Sequence, residues 1–363
     1  MIARRQFIQS VLSTWVILSL PETVQAGPSE SRLTLTRAPL KTMLPLIEEG
    51  MTKIKVIGVG DGGCQTVEHM NDHQLPDVEY ICVNTDAQAL YQSPAHKTIM
   101  LGTSGLGTGG RPDLGHQAAI QAEEEIRAAL TGTHMLFIIA GLGGGTGSGA
   151  APVIARIAKS MDMLTVGVVM TPFKFEGNSR FKKAEAGLAE LKAHVDSVIV
   201  LPNEKLLNKF GNDVSQVEAF DYMNDLIKDA VCGMAEIIQV QGHVAVDFED
   251  VQTILREPGK ARTATAVANG PDRARYAAEQ AVTNIRLDGF DLSAANGVLV
   301  LISATKGTLK LSDSKLAINM VRQYVTPDAH LIYGTFYDES LNGKIRVTVV
   351  ATGLHIVAGM VAG

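Results

Sequence analysis

The chain has 363 residues, 46% of them hydrophobic and 19% charged, with a formal net charge of −6. That composition belongs to a globular protein with room for two domains and excludes a disordered chain. A net negative charge, with no basic block interleaved with aromatics, also excludes general nucleic-acid binding, which depends on neutralising phosphates. The three cysteines, Cys64, Cys82 and Cys232, are too few and too scattered for a disulfide framework or a zinc site. They suit a reducing compartment and read as small core or loop residues.

The N-terminus has its own pattern. Arg4-Arg5-Gln6-Phe7-Ile8 precedes an apolar run over 11–20 and then Val24-Gln25-Ala26. A charged start, a short apolar stretch and a small-residue cleavage site form the layout of an export signal, and the paired arginines resemble the twin-arginine kind. The run is shorter than the ~20 residues a membrane-spanning helix needs. Residues 1–50 therefore read as an extension, with a polar linker and a short helix near 44–49. It is either a signal or anchor, or the product of a start placed ahead of Met43 or Met51.

From residue 54 the pattern becomes that of alternating strands and helices. Residues 54–60, Ile-Lys-Val-Ile-Gly-Val-Gly, read as a buried strand running into glycines, with a helix expected from about 64 to 71. Gly58, Gly60 and Gly63 match G-x-G-x-x-G. A second strand over 78–83 ends at Asn84-Thr-Asp86, which on the dinucleotide fingerprint alone would put Asp86 on a ribose hydroxyl. Two further glycine loops do not fit that reading. One runs from Gly105 to Gly115. The other is Gly143-Gly-Gly-Thr-Gly-Ser-Gly149, between an apolar run over 135–139 and an amphipathic run over 150–159. Six glycines in the nine residues 141–149 would be entropically wasteful in a plain connector. Glycines leading into a helix N-terminus instead offer free N–H groups and a positive dipole end to a phosphate. No Gly-Lys-Ser/Thr follows, so the backbone is the main phosphate ligand. Three such loops at successive strand ends surround a polyphosphate.

In order and spacing, Gly143 to Gly149, Asn84-Thr-Asp-Ala-Gln-Ala-Leu90 and Thr171-Pro-Phe-Lys-Phe-Glu-Gly177 resemble the FtsZ family, the bacterial relatives of tubulin, over about 53–354. The resemblance implies an α/β fold. A Rossmann-like parallel sheet that binds GTP (51–240, including a long central helix) is followed by a synergy loop and a smaller α+β domain (241–355) and a short tail (356–363).

It also implies a site. Gly60, Gly62, Gly63 and Gln65, Asp86 at the second strand end, and Gly143, Gly144, Gly145, Thr146 and Gly147 would surround the nucleotide, the loop ending at Gly63 and the loop over 143–149 holding the α and β phosphates. Thr108, Gly109 and Gly110 would face the γ-phosphate. Glu176 would offer a carboxylate to the ribose and Arg180 a cation near the phosphates. Phe220 would stack on the base, and Asn224 and Asp225, one turn on, would read it, since a carboxylate accepts from guanine donors that adenine lacks. Alone, Phe220 reads equally as a core residue and Glu176 and Arg180 as an ion pair. Mg²⁺ or K⁺ can accompany the nucleotide; no protein metal site is expected.

A helical pattern over 217–238 corresponds to the central helix, with Gly242 as its C-cap. Asp247 and Asp250 stand three apart, like the two aspartates of the family's synergy loop, which enters the next subunit's pocket along a filament and positions the attacking water. Asp247 also reads as a helix N-cap with Asp250 complementing the dipole, and both roles are compatible. A helix over 277–285, a strand over 297–303, a helix over 312–324 and strands over 329–335 and 344–352 give a mixed sheet with helices on one face. The family's C-terminal linker and docking peptide are not found before Gly363, so its usual tail partners are not expected, and an N-terminal membrane contact would substitute.

Five positions depart from the family pattern. Asp61 and Cys64 stand where glycine is common, Gln65 where an asparagine contacts the base, and Arg111 and Ala245 where the family has asparagines. These changes imply slower hydrolysis. The leading expectation is a cytoplasmic GTPase that polymerises with itself in division. The alternatives are a slow or non-hydrolysing paralogue that co-assembles with a standard FtsZ, and a nicotinamide oxidoreductase resting on G-x-G-x-x-G alone.

Overall fold

The computed structural model describes residues 52–71, 78–211, 213–239, 244, 246–257, 260–287 and 289–354. The expectations for the first fifty residues, for Gly242 and Ala245, and for 356–363 lie outside them.

The first sheet has six parallel strands in the order β3-β2-β1-β4-β5-β6. These are β1 Ile54–Val59, β2 Val78–Asn84, β3 Lys97–Met100, β4 Met135–Gly141, β5 Leu164–Thr171 and β6 Ser197–Pro202. Parallel strands need crossovers, and the crossovers here are helices on both faces, so the strands are near-continuous apolar runs. In β4, residues 135–140 are all buried. Alternation along β1 sends Val56 to one face and Ile57 and Val59 to the other. Helices α1 (Gly60–Asn71) and the long α8 (Gln216–Gln239) cover the first face. Helices α3 (Pro112–Gln121), α4 (Glu123–Leu130), α5 (Thr146–Ser160) and α6 (Asn178–Lys192) cover the second. Short helices α2 (Ala87–Tyr91) and α7 (Glu204–Phe210) follow β2 and β6.

Two expectations shift. Helix α1 starts at Gly60, earlier than the glycine spacing suggested, because Gly60 takes a φ of +72° and turns the chain straight into the helix. Helix α5 is less amphipathic than its sequence suggests. Apart from a stripe at Arg156, Lys159 and Ser160, most of it is buried under the neighbouring helices.

The second sheet has the order β7-β10-β8-β9, from Lys260–Ala268, Ile345–Leu354, Gly297–Ala304 and His330–Tyr337. Strands β8 and β9 are parallel, and β10 runs antiparallel to both β7 and β8. Alanine-rich α10 (Arg273–Leu287) and α11 (Leu311–Arg322) cover one face through Ala277, Ala278, Ala281 and Ala317. The sequence suggested helices on one face only. The other face is also covered, because Leu299, Leu301, Phe336 and Val350 join the core that holds α8 and α9 (Phe248–Leu255). Residues of α8 therefore pack against both sheets.

Candidate nucleotide-binding site

In a sheet of order 3-2-1-4-5-6 the strand order reverses between β1 and β4, and ligands bind at the carboxyl ends of the strands there. A cavity of about 1000 Å³ opens at that point. Helices α1 and α5 start at its floor. A Cβ on Gly60 would lie 3.1 Å from the nitrogen of Gly147, so the two positive helix ends converge on one spot.

One end of the cavity is built largely from glycine backbone. Gly143 N–H is held by Ser148 Oγ at 2.8 Å, and the hydroxyls of Thr85 and Thr146 pair at 2.7 Å. Thr108, Gly109 and Gly110 form the opposite wall. Gly109 and Gly110 have φ of +58° and +70°, which L side chains rarely adopt. This wall lies directly on the α5 loop, where a Cβ on Gly145 would sit 2.0 Å from Thr108 Oγ1. Gly62 of α1 completes this end, and Gln65, one turn on, lines the cavity as well.

At the other end Phe173 stacks on Phe175 (centroids 4.8 Å apart, planes at 17°) and meets Phe220 edge-on at 6.3 Å. Phe220 and Phe175 remain exposed, an aromatic surface suited to a flat base. Asn224 faces the same space, its Oδ1 accepting from Thr66 Oγ1 at 2.8 Å. Glu176 and Arg180 both line the cavity and form an ion pair at 2.7 Å, so each of the two sequence readings describes part of their geometry. Asp86 lines it too, with its carboxylate capping α2 through Gln88 N and Ala89 N.

Four of the named residues lie off the lining, two of them, Asp247 and Asp250, as expected of side chains that serve a neighbouring copy. A Cβ on Gly63 would lie 2.3 Å from Ile139 O, so Gly63 allows α1 to pack on β4 and does not face the ligand space. Asp225 is not part of the lining. At 100° per residue a helix turns Asp225 about 140° from Phe220 but Asn224 only about 40°. Asp225 instead bonds His69 Nε2 at 3.0 Å and Lys228 Nζ at 2.6 Å. Partial burial opposes its charge, and those bonds hold its carboxyl below the usual range nonetheless. Asp247 and Asp250 also lie off the lining. Asp250 N donates to Asp247 Oδ1 at 2.8 Å and Asp247 N to Asp250 Oδ2 at 3.2 Å, a reciprocal cap on α9.

Among the lining residues that sequence reasoning left without a role, three carry side chains placed to act. Asn203 follows β6, a strand end like the others, and its buried Oδ1 has no partner. Asn84 donates to Asp61 Oδ1 at 2.8 Å and thereby fixes a carboxylate on the cavity lining. Lys183 reaches in from α6. Cys64, in contrast, is a core thiol: its hydrogen bond with Cys82 and its burial push it up, keeping it protonated and unreactive.

Glycine loops on both sides of a parallel-sheet switch point, with a 24-residue helix leading to a mixed four-stranded sheet, define a tubulin-like nucleotide-binding protein. Residues 53–211 match the Tubulin/FtsZ family GTPase domain, and residues 259–355 match the FtsZ family C-terminal domain. Over 304 residues the chain is 45% identical to the cell division protein FtsZ of Buchnera aphidicola subsp. Schizaphis graminum, covering 83% of this chain and 79% of that one. It is 46% identical to that of Azotobacter vinelandii over 83% and 77% of the two chains. The solved FtsZ dimer of M. jannaschii superimposes with a TM-score of 0.78 at 36% identity, covering 86% of this chain and 91% of that one. The chain belongs to the FtsZ family.

Proposed function

We propose that the chain binds GTP in this cavity, hydrolyses it in a site completed by the next subunit of a head-to-tail filament, and acts in bacterial cell division. One observation carries this reading. Each carboxylate lining the cavity already has a partner, Glu176 with Arg180, Asp86 with the α2 cap and Asp61 with Asn84. Asp247 and Asp250, held rigid at the start of α9, lie outside the cavity of their own chain. The cradle for the phosphates and the acids for the attacking water therefore belong to different copies.

On this reading Phe220 and Asn224 take the base, Glu176 and Asn203 the ribose, and the loops at 60–62, 108–110 and 143–147 the phosphates. Asp225 would have to leave His69 and Lys228 to reach a base. Phosphoryl transfer needs little beyond positioning and charge stabilisation. In-line attack on the terminal phosphate would use water polarised by Asp250 and Asp247 of the neighbouring copy. A cation carried by the phosphates is part of the proposal. Mg²⁺ typically adds only one or two carboxylates to phosphate oxygens. Among the described residues no three His, Cys, Asp or Glu side chains converge to hold a metal unaided.

We place the chain in the cytoplasm, where GTP is, and its nucleotide-binding domain over 51–240. No helix among the described residues is long and apolar enough to cross a membrane.

The test is phosphate release across a wide range of protein concentration. Turnover per molecule should rise steeply above a threshold, together with GTP-dependent sedimentation that GDP does not support. Turnover per molecule that stays constant would rule out the shared site.

Asp61 favours a second reading, a slow paralogue that co-assembles with a standard FtsZ. A carboxylate about 4 Å from a phosphate charge costs about 1 kcal/mol even with water-like screening. Asp61→Gly should therefore raise GTP affinity about fivefold at low salt, with the gain shrinking in 1 M salt. Equal affinity at low salt would show that Asp61 does not oppose the phosphates.

A further inference from the structure

The geometry points to Lys183 as a ligand of the terminal phosphate, the side chain that makes this cavity prefer a nucleoside triphosphate to a diphosphate. The inference rests on the reading of the cavity as a GTP site.

Two cationic side chains line the cavity, Arg180 and Lys183. Arg180 is neutralised by Glu176 at 2.7 Å. Arg111, beside the same loop, is bound to Asp113 at 2.7 Å, and the two are turned out to solvent. Lys183 has no carboxylate partner among the described residues. Its Nζ instead donates to the carbonyl of Gly110 at 2.6 Å. A carbonyl takes one of an ammonium's three donors and cancels none of its charge. Two donors and a full positive charge are left at the wall formed by Thr108, Gly109 and Gly110.

The position selects which phosphate it meets. Gly110 belongs to the wall that lies against Gly145 at the phosphate end, away from Phe220, Phe173 and Asn224 at the base end. The stem of Lys183 is half-buried on α6, so the ammonium is held in place at little further entropic cost. An ammonium acts on phosphate as a point charge, and at this wall it is felt most by the outermost phosphate. The same contact to Gly110 lets Lys183 hold the positive-φ loop in its phosphate-facing shape.

The experiment measures equilibrium binding of GDP and of a non-hydrolysable GTP analogue to the full chain and to two variants. Lys183→Met, which keeps the apolar stem, should lose about tenfold in affinity for the triphosphate, or about 1.4 kcal/mol. Its affinity for GDP should stay within about twofold, which also shows that the variant folds. Lys183→Arg should restore most of the preference. Equal losses for both nucleotides would make Lys183 a loop tether only and overturn the assignment, as would no loss for either. Failure of the unmodified chain to bind either nucleotide would instead overturn the GTP-site reading beneath it.

Discussion

Asp250→Ala should lower GTP turnover by about 100-fold or more, the usual contribution of a positioned acid or base, while leaving GTP affinity within about twofold. The expectation follows from the separation of Asp250 from the cavity of its own chain. The substitution also breaks the reciprocal cap, because Asp247 N loses its acceptor. A lost cap costs about 1 kcal/mol, so a drop in stability must be separated from a drop in chemistry. Asp250→Asn does this: its amide oxygen can still accept from Asp247 N, but it cannot take a proton from water. Both variants should be slow, and only the alanine variant should melt earlier. Fast turnover in Asp250→Asn would remove Asp250 from the chemistry and leave it a cap.

Gly145→Ala should abolish tight nucleotide binding, with an affinity loss on the order of 100-fold. The new methyl would stand 2.0 Å from Thr108 Oγ1 and 2.7 Å from Arg111 N, so the two glycine loops must part. Overpacking of this kind costs about 1–3 kcal/mol in stability. The larger effect is on binding, because hydrogen bonds from backbone donors to a charged phosphate are worth about 1.5–3 kcal/mol each and depend on the loops' spacing. Gly144→Ala is the control one residue away. A Cβ there meets nothing within 4 Å, so its melting temperature should match that of the unmodified chain. Unchanged GTP affinity in Gly145→Ala would mean that the Thr108 loop does not take part in binding.

Much of this was legible in the sequence, for physical reasons that differ between elements. The glycine loops stood out because close approach and positive φ leave only one residue type available. The long helix and the buried strands stood out because their apolar spacing follows the geometry of the backbone. What remained hidden depended on partners distant in the chain. The sequence placed Asp225 beside Asn224, but not beside His69 and Lys228, the partners that hold it away from the cavity. Asp61 read as a charge with nothing to hold it, whereas Asn84, 23 residues on, fixes its position without neutralising it. Lys183 sits in a mixed polar run with no motif around it, and only the fold carries it to Gly110. The second sheet looked one-sided because its inner face is covered partly by α8, a helix first assigned to the nucleotide half.

That helix has a mechanical consequence. At 1.5 Å per residue its 24 residues make a rod about 36 Å long. Phe220 and Asn224 lie near one end, on the cavity lining, while further along the backbone of Gly233 lies against Thr348 of the second sheet. From Phe220 to Gly233 the axis runs about 20 Å, so a tilt of about 5° around Phe220 displaces Gly233 by about 1.7 Å, more than half a hydrogen-bond length. Small adjustments around a base would thus become displacements of another surface large enough to make or break its contacts.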